Sequence, residues 1–403
     1  MLYNLGIYLY GGLIRLASLW NKKAKKWVEG RAGFWNQNLE IPNDRKVIWF
    51  HCASMGEYDQ GLPVMQAFKE ADPKNFILVT FFSPSGYEAL ISKSIGDHTC
   101  YLPLDTPRNA KKFIEKFHPT KAFFVKYEYW LNFIDACTKN GCKLYGLSAL
   151  FRDDQRFFKW YAGRFKSMIK KFDHFFLQNE TSASVLRSNG YENFTISGDT
   201  RYDRVILRAK EDRSNEIFEK WSRVDSKILV IGSSWPKDEQ LLISLINKKQ
   251  IEELVILAPH EVNTEHISSI EKQLSVPYQK YTDLENGVEL KMDTQVIILN
   301  CIGVLAYAYK YGSIAYVGGA FGTGLHNILE PASFGLPVIF GPQHSKFPEA
   351  DDFIEAGIGS SIQTSTELLS VYNRFKDSDF EEEVLSFMKR KSGATDEVMS
   401  YFK

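Results

Sequence analysis

Short apolar runs that alternate with helical stretches constrain the fold of this 403-residue chain more than any other feature. A first set of runs occupies residues 47–54, 76–82, 121–130, 143–150, 174–180 and 194–200. A second set occupies residues 227–235, 254–260, 296–300, 314–319 and 337–342. Nearly continuous apolar strands spaced by helices indicate parallel sheets that are covered on both faces. Two such sets predict an α/β chain with two Rossmann-like domains facing across a cleft.

The length of the chain supports the same division, because 403 residues exceed what one ordinary hydrophobic core holds. A charged, helical stretch with few turn signals follows the first set, and we interpret it as the connection between the halves. We predict a membrane-associated, basic segment at residues 1–30 and an N-terminal domain at 31–205. A linker at 206–225 and a C-terminal domain at 226–403 complete the predicted organisation.

The overall charge excludes some partners. Lys plus Arg and Asp plus Glu both number 49, so the formal net charge is zero, which argues against nucleic-acid binding through a general basic field. The 5 cysteines are an odd number without a CxxC pair, as expected of thiols in a reducing compartment. The 8 histidines do not cluster in sequence with carboxylates, and no spacing suggests a metal site.

The amino terminus breaks the neutral pattern. Residues 2–19 are mostly apolar, and tryptophans and a lysine cluster at residues 22–26 follow them. The run is just long enough to cross a bilayer, but Arg15 makes a full span expensive. A helix that lies in the membrane interface is an equal alternative, and a core helix with a basic end is a third. Either membrane interpretation leaves the remaining chain on the cytoplasmic side.

Residues 317–342 predict a nucleotide site. They join two apolar runs through a glycine-rich turn and a helix that carries Asn327 and Glu330. Glycines let a backbone approach a ligand, and a helix start offers free N–H groups to a phosphate. Nucleotides bind at the carboxyl ends of such strands, where Glu330 could accept hydrogen bonds from ribose hydroxyls. The alternative is a tight turn whose glycines serve packing alone.

Glu57 is the first candidate for chemistry. It follows a predicted strand in the string HCASMGE, where the next helix begins. The positive end of a helix dipole stabilises an ionised carboxylate there, and such a group could take a proton from an acceptor alcohol. Equally, Glu57 could be only a favourable charge in the first turn of the helix.

Two further strings place charged groups at predicted strand ends. Strand alternation in KYEYW would put Lys126, Glu128 and Trp130 on one side, although Glu128 could simply pair with a lysine. In GDTRYDR, Arg201 could reach a phosphate or carboxylate, or could pair with a neighbouring aspartate. The second set offers the hydroxyls of GSSWP, which suit an anion or a helix cap, and His260 in APHE.

The strings that carry a resemblance run through nearly the whole chain. They are EGRAGFW at 29–35, HCASMGE at 51–57 (the pattern HAxSxGE), YLPLDTP at 101–107, KYEYWLN at 126–132 (ExElWPN), GDTRYD at 198–203 (GNxKxD) and HNILEP at 326–331 (HNPLEP), followed by GLPVIFGP. Together they resemble the 3-deoxy-D-manno-octulosonic acid (Kdo) transferases of lipopolysaccharide assembly. These enzymes are membrane-associated GT-B glycosyltransferases.

The resemblance implies transfer of Kdo from CMP-Kdo to a hydroxyl of a lipid A precursor (lipid IVA), with inversion, at the cytoplasmic face of the bacterial inner membrane. It implies that Glu57 is the general base and that Glu128 and Arg201 assist the transition state. The residues that would contact CMP-Kdo are Pro259, His260, Ile302, Gly303, Val304, Asn327, Ile328, Leu329 and Glu330. No metal or other cofactor is expected, because CMP is a good leaving group.

Several positions depart from the family pattern. The first acid of ExElWPN is Lys126 and its proline is Leu131, while APRH has become APHE and Val304 replaces an acid. Other readings of the chain therefore stay open. It could be a GT-B enzyme that uses a UDP-sugar, a nucleotide-sugar epimerase of the same fold, or an inactive membrane-bound scaffold.

Overall fold

The computed structural model describes residues 2–36, 39, 41–42, 44–155, 158, 163–211, 214–222, 227–322 and 324–403. The chain forms two compact units. The first unit comprises Met1–Arg204 together with Lys391–Lys403, and the second comprises Val205–Arg390. A seven-stranded sheet whose strand pairs are all parallel lies at the centre of each unit. The predicted α/β class with two Rossmann-like domains is confirmed.

The first sheet has the strand order β3-β2-β1-β4-β5-β6-β7. Its strands are β1 (Lys46–Cys52), β2 (Asn75–Phe81), β3 (His98–Tyr101), β4 (Lys121–Val125), β5 (Lys143–Ala149), β6 (His174–Leu177) and β7 (Phe194–Ile196). The helices along this part of the chain are α1 (Leu2–Ala17), α2 (Lys22–Glu29), α3 (Met55–Ala71), α4 (Pro84–Leu90), α5 (Pro107–Phe117), α6 (Leu131–Lys139), α7 (Gly163–Ile169), α8 (Glu180–Ser188) and α9 (Thr200–Ala209). The boundary between the two units falls within α9.

Alternation along β1 explains why the sheet is covered on both faces. Successive side chains of a strand point to opposite faces. Trp49 lies in one core with Phe113 and Phe124, whereas its neighbour Phe50 lies in another core and stacks on Phe123 at 4.7 Å. Burial on both faces requires a continuous apolar run, so β1 and β4 occupy the middle of the sheet and bring their carboxyl ends side by side.

The last residues of the chain belong to the first unit, which corrects the predicted end of the C-terminal domain at residue 403. Helix α19 (Ala394–Ser400) packs against α3. The Asp203 carboxylate accepts hydrogen bonds from the backbone N–H groups of Gly393 (2.6 Å) and Thr395 (2.7 Å). The Phe402 ring contacts Phe68 at 5.2 Å, so burial of aromatic surface holds this segment in place.

The second sheet has the order β10-β11-β9-β8-β12-β13-β14. Its strands are β8 (Ile228–Ser234), β9 (Leu254–Pro259), β10 (Tyr278–Lys280), β11 (Val296–Ile298), β12 (Ile314–Val317), β13 (Val338–Phe340) and β14 (Gly359–Ser361). The helices are α10 (Glu216–Trp221), α11 (Pro236–Asn247), α12 (Thr264–Gln273), α13 (Tyr281–Glu285), α14 (Leu305–Ala308), α15 (Leu329–Ala332), α16 (Pro348–Glu355), α17 (Ser365–Lys376) and α18 (Glu381–Lys391).

The structure changes two further predictions, which concern the end of strand β4 and the linker at residues 206–225. Strand β4 ends at Val125, because Lys126 adopts a left-handed backbone conformation (φ 63°). The predicted alternation of Lys126, Glu128 and Trp130 is therefore wrong, and these residues form a turn. The predicted linker 206–225 contributes the end of α9 and all of α10 to the second unit, while its residues 212–213 and 223–225 lie outside the described part of the chain.

Helix α1 presents two different faces. On one face, the Tyr3 hydroxyl donates to the Asp105 carboxylate (2.5 Å), and Gly11 is buried against Leu104. On the other face, leucines stand exposed to solvent; Leu9 and Leu13 are 60% and 66% exposed. Within the described ranges, no helix is long and apolar enough to cross a membrane. Association of this segment with a membrane stays a prediction.

Candidate active site

The strand order of the first sheet identifies where a ligand site is expected. The chain leaves β1 toward β2 on one side, and it later returns to β4 on the other side. Loops at such a reversal diverge and leave a crevice at the carboxyl ends of the two strands. The segment after β1 carries Glu57, and the turn after β4 carries Glu128. The fold thus brings two of the predicted catalytic residues to one edge of the sheet.

Glu57 lies in the first turn of α3 and belongs to a capping box with Ser54. Its Oε2 atom accepts a hydrogen bond from the Ser54 backbone N–H (2.7 Å) and a second from the Ser54 hydroxyl. The positive end of the α3 dipole also faces its negative charge. The capping role and a catalytic role are compatible, because the described contacts engage only one of the two carboxylate oxygens.

Glu128 lies half-buried in the turn that follows β4. Burial, together with the negative charge of Glu57, raises the pKa of Glu128 from 4.5 to about 7, and a hydrogen bond with Trp130 opposes the rise. Since the Glu57 charge raises the pKa of Glu128, the two carboxyl groups lie within electrostatic reach of each other. With a pKa of about 7, Glu128 can hold or release a proton near neutral pH, which is typical of sites that move protons.

We predict that Glu128→Gln removes the part of the pH dependence of stability that Glu128 contributes between about pH 4.5 and 7. The folded chain holds the Glu128 proton more tightly than the unfolded chain, so this residue stabilises the fold below pH 4.5 and loses that contribution as the pH rises to about 7. The variant should be more stable than the wild type by about 2 kcal/mol at pH 8, after allowance for solvent screening. Thermal unfolding from pH 4 to 8 measures the difference. The exposed control Glu192→Gln should leave the profile unchanged, and an unchanged profile for Glu128→Gln would contradict the raised pKa.

His51 helps to hold the side chains at this edge of the sheet, although the sequence pattern marked it only as one of the scattered histidines. Burial lowers the pKa of His51 to about 3, so its ring is neutral. Its Nε2 atom accepts a hydrogen bond from the Trp130 indole (2.9 Å), and its Nδ1 lies 2.9 Å from the Thr80 hydroxyl. His51 therefore fixes the indole that contacts Glu128. The sequence signal that could have indicated this role was its position near the end of β1, close to Ser54 and Glu57.

Arg201 forms an ion pair rather than standing free. Its Nε atom donates to Asp199 Oδ2 (2.8 Å), and its Nη2 lies 2.7 Å from the same oxygen. Burial raises the pKa of Asp199, but the Arg201 charge and its hydrogen bonds outweigh burial and bring the net pKa below the usual value. The Gln60 side chain also donates to Asp199 (3.0 Å). The pairing alternative is thus realised, and a role of Arg201 in catalysis stays a prediction.

The second sheet reverses its strand order between β8 and β12, and glycines of the 317–342 segment lie there. A Cβ atom on Gly318 would lie 2.4 Å from the Ser233 carbonyl oxygen and 2.7 Å from Ser234 Cα. Gly319 has φ 95°, and its N–H donates to the Asp238 carboxylate (3.0 Å). Asp238 also accepts from the Trp235 N–H (2.9 Å). Close packing against β8 thus favours glycine at position 318, whereas the positive φ favours glycine at position 319.

Three rings stack at the same edge of the second sheet. The His260 ring lies 4.7 Å from Trp235 and 4.6 Å from His326, nearly parallel to both. The Trp235 indole donates to His326 Nε2 (3.1 Å), and burial, with the neighbouring His260, lowers the pKa of His326. His260 is exposed and covers the other two rings. The sequence indicated His260, but it gave no sign that Trp235 would support it.

The other residues that were predicted to contact the sugar donor CMP-Kdo lie in loops along this edge. Pro259 is buried at the end of β9, Ile302 is exposed, Gly303 has φ 98°, and Val304 immediately precedes α14. Asn327 is exposed, and its side chain accepts from the Leu329 N–H (3.0 Å).

Three positions need qualification. The Ile328 and Leu329 side chains are fully buried, so only their backbone could meet a ligand, and side-chain contacts from them are excluded. The predicted helix after the glycine turn is the four-residue α15. Glu330 Oε1 lies 3.4 Å from Arg208 Nη1.

The described residues offer no metal site at these strand ends, and the cavity found in the second unit lies elsewhere. Among the described residues, no group of three or more His, Cys, Asp or Glu side chains could hold a metal ion. A cavity of about 690 Å³ in the second unit lies near the β10 edge of the sheet, where Asn215 and Tyr281 line it. Two strands, β11 and β9, separate β10 from β8, so this cavity is remote from the reversal point of the sheet.

Two Rossmann-like units, each with polar groups at the reversal point of its sheet, define a protein of the GT-B type. Solved structures agree. UDP-GlcNAc 2-epimerase from Neisseria meningitidis superposes with a TM-score of 0.61 at 13% identity, covering 88% of this chain and 98% of that one. MurG from Acinetobacter baumannii gives 0.54 at 11% identity, covering 88% and 99%. At these identities the similarity concerns the fold alone.

Sequence comparison finds similarity to one family. The family model described as 3-deoxy-D-manno-octulosonic-acid transferase (kdotransferase) matches residues 26–204. The Kdo transferase of Aquifex aeolicus is 28% identical over 338 residues, which are 82% of this chain and 86% of that protein. The Kdo transferase of Rickettsia bellii is 25% identical over 375 residues, covering 89% and 87%. The chain is thus similar to Kdo transferases over most of its length, and its first unit matches the family model.

One relative is a longer protein. A bifunctional glycosyltransferase/methyltransferase of Fusobacterium nucleatum is 24% identical over 379 residues, which are 91% of this chain. The aligned part spans only 58% of that protein. The similarity therefore concerns one part of the bifunctional protein.

Proposed function

We propose that this chain transfers Kdo from CMP-Kdo to a hydroxyl group of a lipid A precursor such as lipid IVA, with inversion at the anomeric carbon. The Kdo transferase relatives support the identity of the sugar. The observation that carries the chemistry is the pair formed by Glu57 and Glu128 at one edge of the first sheet. One carboxylate lies at a helix start, and the other has a pKa of about 7.

In the proposed mechanism, the first unit supplies the base. Glu57 accepts the proton of the acceptor hydroxyl while the hydroxyl oxygen forms a bond to the anomeric carbon of Kdo. The bond between that carbon and the CMP phosphate breaks, and the phosphate leaves with the electron pair. Neutralisation of Glu57 removes the charge that helps to raise the Glu128 pKa, so Glu128 can then release its own proton. Arg201 would assist through its positive charge.

The second unit would hold the donor. The loops after β9, β11 and β12 present His260, the backbone around Gly303, and Asn327 and Glu330 along one edge of the sheet. The stacked rings of Trp235, His260 and His326 give this edge a flat, weakly basic surface. We propose that no metal ion takes part, since CMP is a good leaving group.

Helix α1 would bring the enzyme to the cytoplasmic face of the inner membrane. Its outer leucines form an exposed apolar stripe, and the lysines of α2 follow directly. Apolar side chains on one helix face, next to basic residues, favour a helix that lies in the interface of an anionic membrane.

The activity is tested by incubating the protein with CMP-Kdo and a tetraacyl lipid A precursor. We expect the mass of the lipid to rise by one or more Kdo units, with the same rate in the presence of EDTA. CMP should protect the protein from thermal unfolding more strongly than UDP. Absence of a mass gain would contradict the proposal. A gain that requires a UDP-sugar would favour the alternative donor.

The membrane prediction is tested by changing the outer face of α1 alone. Replacing Leu5, Leu9 and Leu13 with Gln should weaken binding to anionic vesicles about 100-fold or more, because each leucine would no longer bury its side chain in the membrane. Co-sedimentation with vesicles measures the change. The control replaces the exposed Ile91, Ile196 and Leu385 with Gln and should bind normally. Equal sedimentation of both triple variants would refute the role of α1.

A further inference from the structure

A cavity of about 360 Å³ in the first unit lies outside the candidate active site. Residues of α1, α2 and the loop after β3 line it; they include Gly11, Arg15, Trp27, Arg31 and Leu104. We name it the α1 cavity. None of the described residues that line it is acidic, although two of them are arginines.

Arg31 has an unusual environment for a charged group. Its guanidinium stacks on the Trp27 ring at 3.8 Å. Its Nε, Nη1 and Nη2 atoms donate to the carbonyl oxygens of Leu102 (2.8 Å), Trp27 (3.1 Å) and Phe82 (2.9 Å). No carboxylate of the described chain pairs with it. Burial lowers the pKa of Arg31 to about 9, so the group remains charged at neutral pH.

The α1 cavity offers more hydrogen-bond donors than acceptors. A guanidinium carries five N–H donors, so two of those on Arg31 are left after its three carbonyl contacts. The Trp27 indole Nε1 is buried and has no hydrogen-bond partner within the described part of the chain. Arg15 on α1 is exposed and adds a second positive charge. Buried donors without acceptors are rare in folded proteins and call for a ligand.

The position of the α1 cavity indicates the kind of ligand. Apart from Asn109, its remaining wall is apolar, with Leu104 and the rings of Phe34 and Trp35. The opposite face of α1 carries the exposed leucines. A ligand that fits must place a negatively charged group with several acceptor oxygens beside Arg31, and must carry apolar groups that lie beside α1.

We propose that the α1 cavity binds the phosphate group of a membrane lipid. Phosphate oxygens accept the fork of N–H donors that an arginine presents, and charge-assisted hydrogen bonds of this kind are among the strongest in proteins. The phosphate would also accept the Trp27 N–H. Binding of the lipid would then position the first unit at the membrane surface independently of turnover.

The test compares vesicles of equal surface charge. Phosphatidylcholine vesicles are doped either with phosphatidate or with oleate, and binding of the full-length protein is measured by flotation. The wild type should bind the phosphatidate vesicles about tenfold more tightly, since only phosphate supplies the additional acceptors. Trp27→Phe keeps the ring on Arg31 but removes the N–H, and it should lose most of this preference. Arg15→Gln, at an exposed position, should reduce the preference as well.

Lys23→Gln is the matched control. It removes one exposed positive charge from α2, outside the α1 cavity, and should weaken binding to both kinds of vesicle equally. Equal binding of the wild type to both vesicles would overturn the proposal. An unchanged preference for phosphatidate vesicles in both Trp27→Phe and Arg15→Gln would also overturn the proposal. If inorganic phosphate binds the protein but the wild type shows no preference between the two vesicles, the α1 cavity is a site for free phosphate and the lipid assignment is wrong.

The phosphate could belong to the acceptor glycolipid or to a bulk phospholipid. In a Kdo-transfer assay in detergent, a higher KM for the acceptor in Trp27→Phe, with kcat unchanged, would assign the site to the acceptor. An unchanged KM with weakened vesicle binding would assign it to phospholipid. The KM measurement rests on the proposed function, whereas the vesicle measurements do not.

Discussion

Glu57→Gln is expected to lower the rate of Kdo transfer by about 1,000-fold or more, because a neutral amide cannot accept the proton of the acceptor hydroxyl. The substitution should leave the fold intact, since the amide oxygen can still accept the hydrogen bonds that Ser54 donates at the start of α3. CMP binding should be nearly unchanged, because the proposed donor contacts belong to the second unit. Single-turnover transfer, CMP calorimetry and thermal unfolding measure the three properties.

The control for this prediction lies on the same helix. Glu70 is exposed near the end of α3, and Glu70→Gln removes the same charge without touching the pair. It should keep full activity. Retention of more than about a tenth of the wild-type rate in Glu57→Gln would exclude Glu57 as the base. Glu128 would then be the next candidate, since its pKa of about 7 allows it to accept a proton near neutral pH.

Loss of the Glu57 charge also has a consequence for Glu128. The negative charge of Glu57 is one of the two causes that raise the Glu128 pKa. In Glu57→Gln that pKa should fall, although burial continues to hold it above 4.5.

The interior strands could be predicted because burial on both faces leaves a continuous apolar run. Strands β1 and β2 bury 6 and 7 of their residues, respectively, and both were predicted within a residue or two. The edge strands β3, β10 and β14 were missed, because each is short and carries polar side chains. The end of β4 was also missed, because nothing in the local pattern indicates a left-handed lysine at Lys126.

The site could be predicted only in part. Glu57 and Glu128 were found because each follows an apolar run, and the sheet brings the ends of those runs together. The support that holds them was not found, because the bond between His51 and Trp130 joins residues separated by 79 positions. Likewise, the glycines after β12 resemble a helix start in sequence, but Gly319 has φ 95° and its N–H donates to Asp238, 81 positions earlier in the chain.

Gly318→Ala is expected to destabilise the second unit by about 3 kcal/mol or more, which is a large effect for one methyl group. The added Cβ would lie 2.4 Å from the Ser233 carbonyl oxygen and 2.7 Å from Ser234 Cα. Both are backbone atoms at the end of β8, so neither can move aside as a side chain could. Gly322→Ala is the control, because nothing lies within 4 Å of a Cβ built there.

The two explanations for Gly318 predict different outcomes. If the glycine serves packing, Gly318→Ala lowers the thermal unfolding midpoint, and added CMP restores part of the loss by binding the folded state. If instead the glycine gives a ligand access to the backbone, stability stays near that of Gly322→Ala while affinity for CMP falls. Thermal unfolding with and without CMP separates these results. We expect the first, because the positions of Ser233 and Ser234 already fill the space that a side chain at Gly318 would occupy.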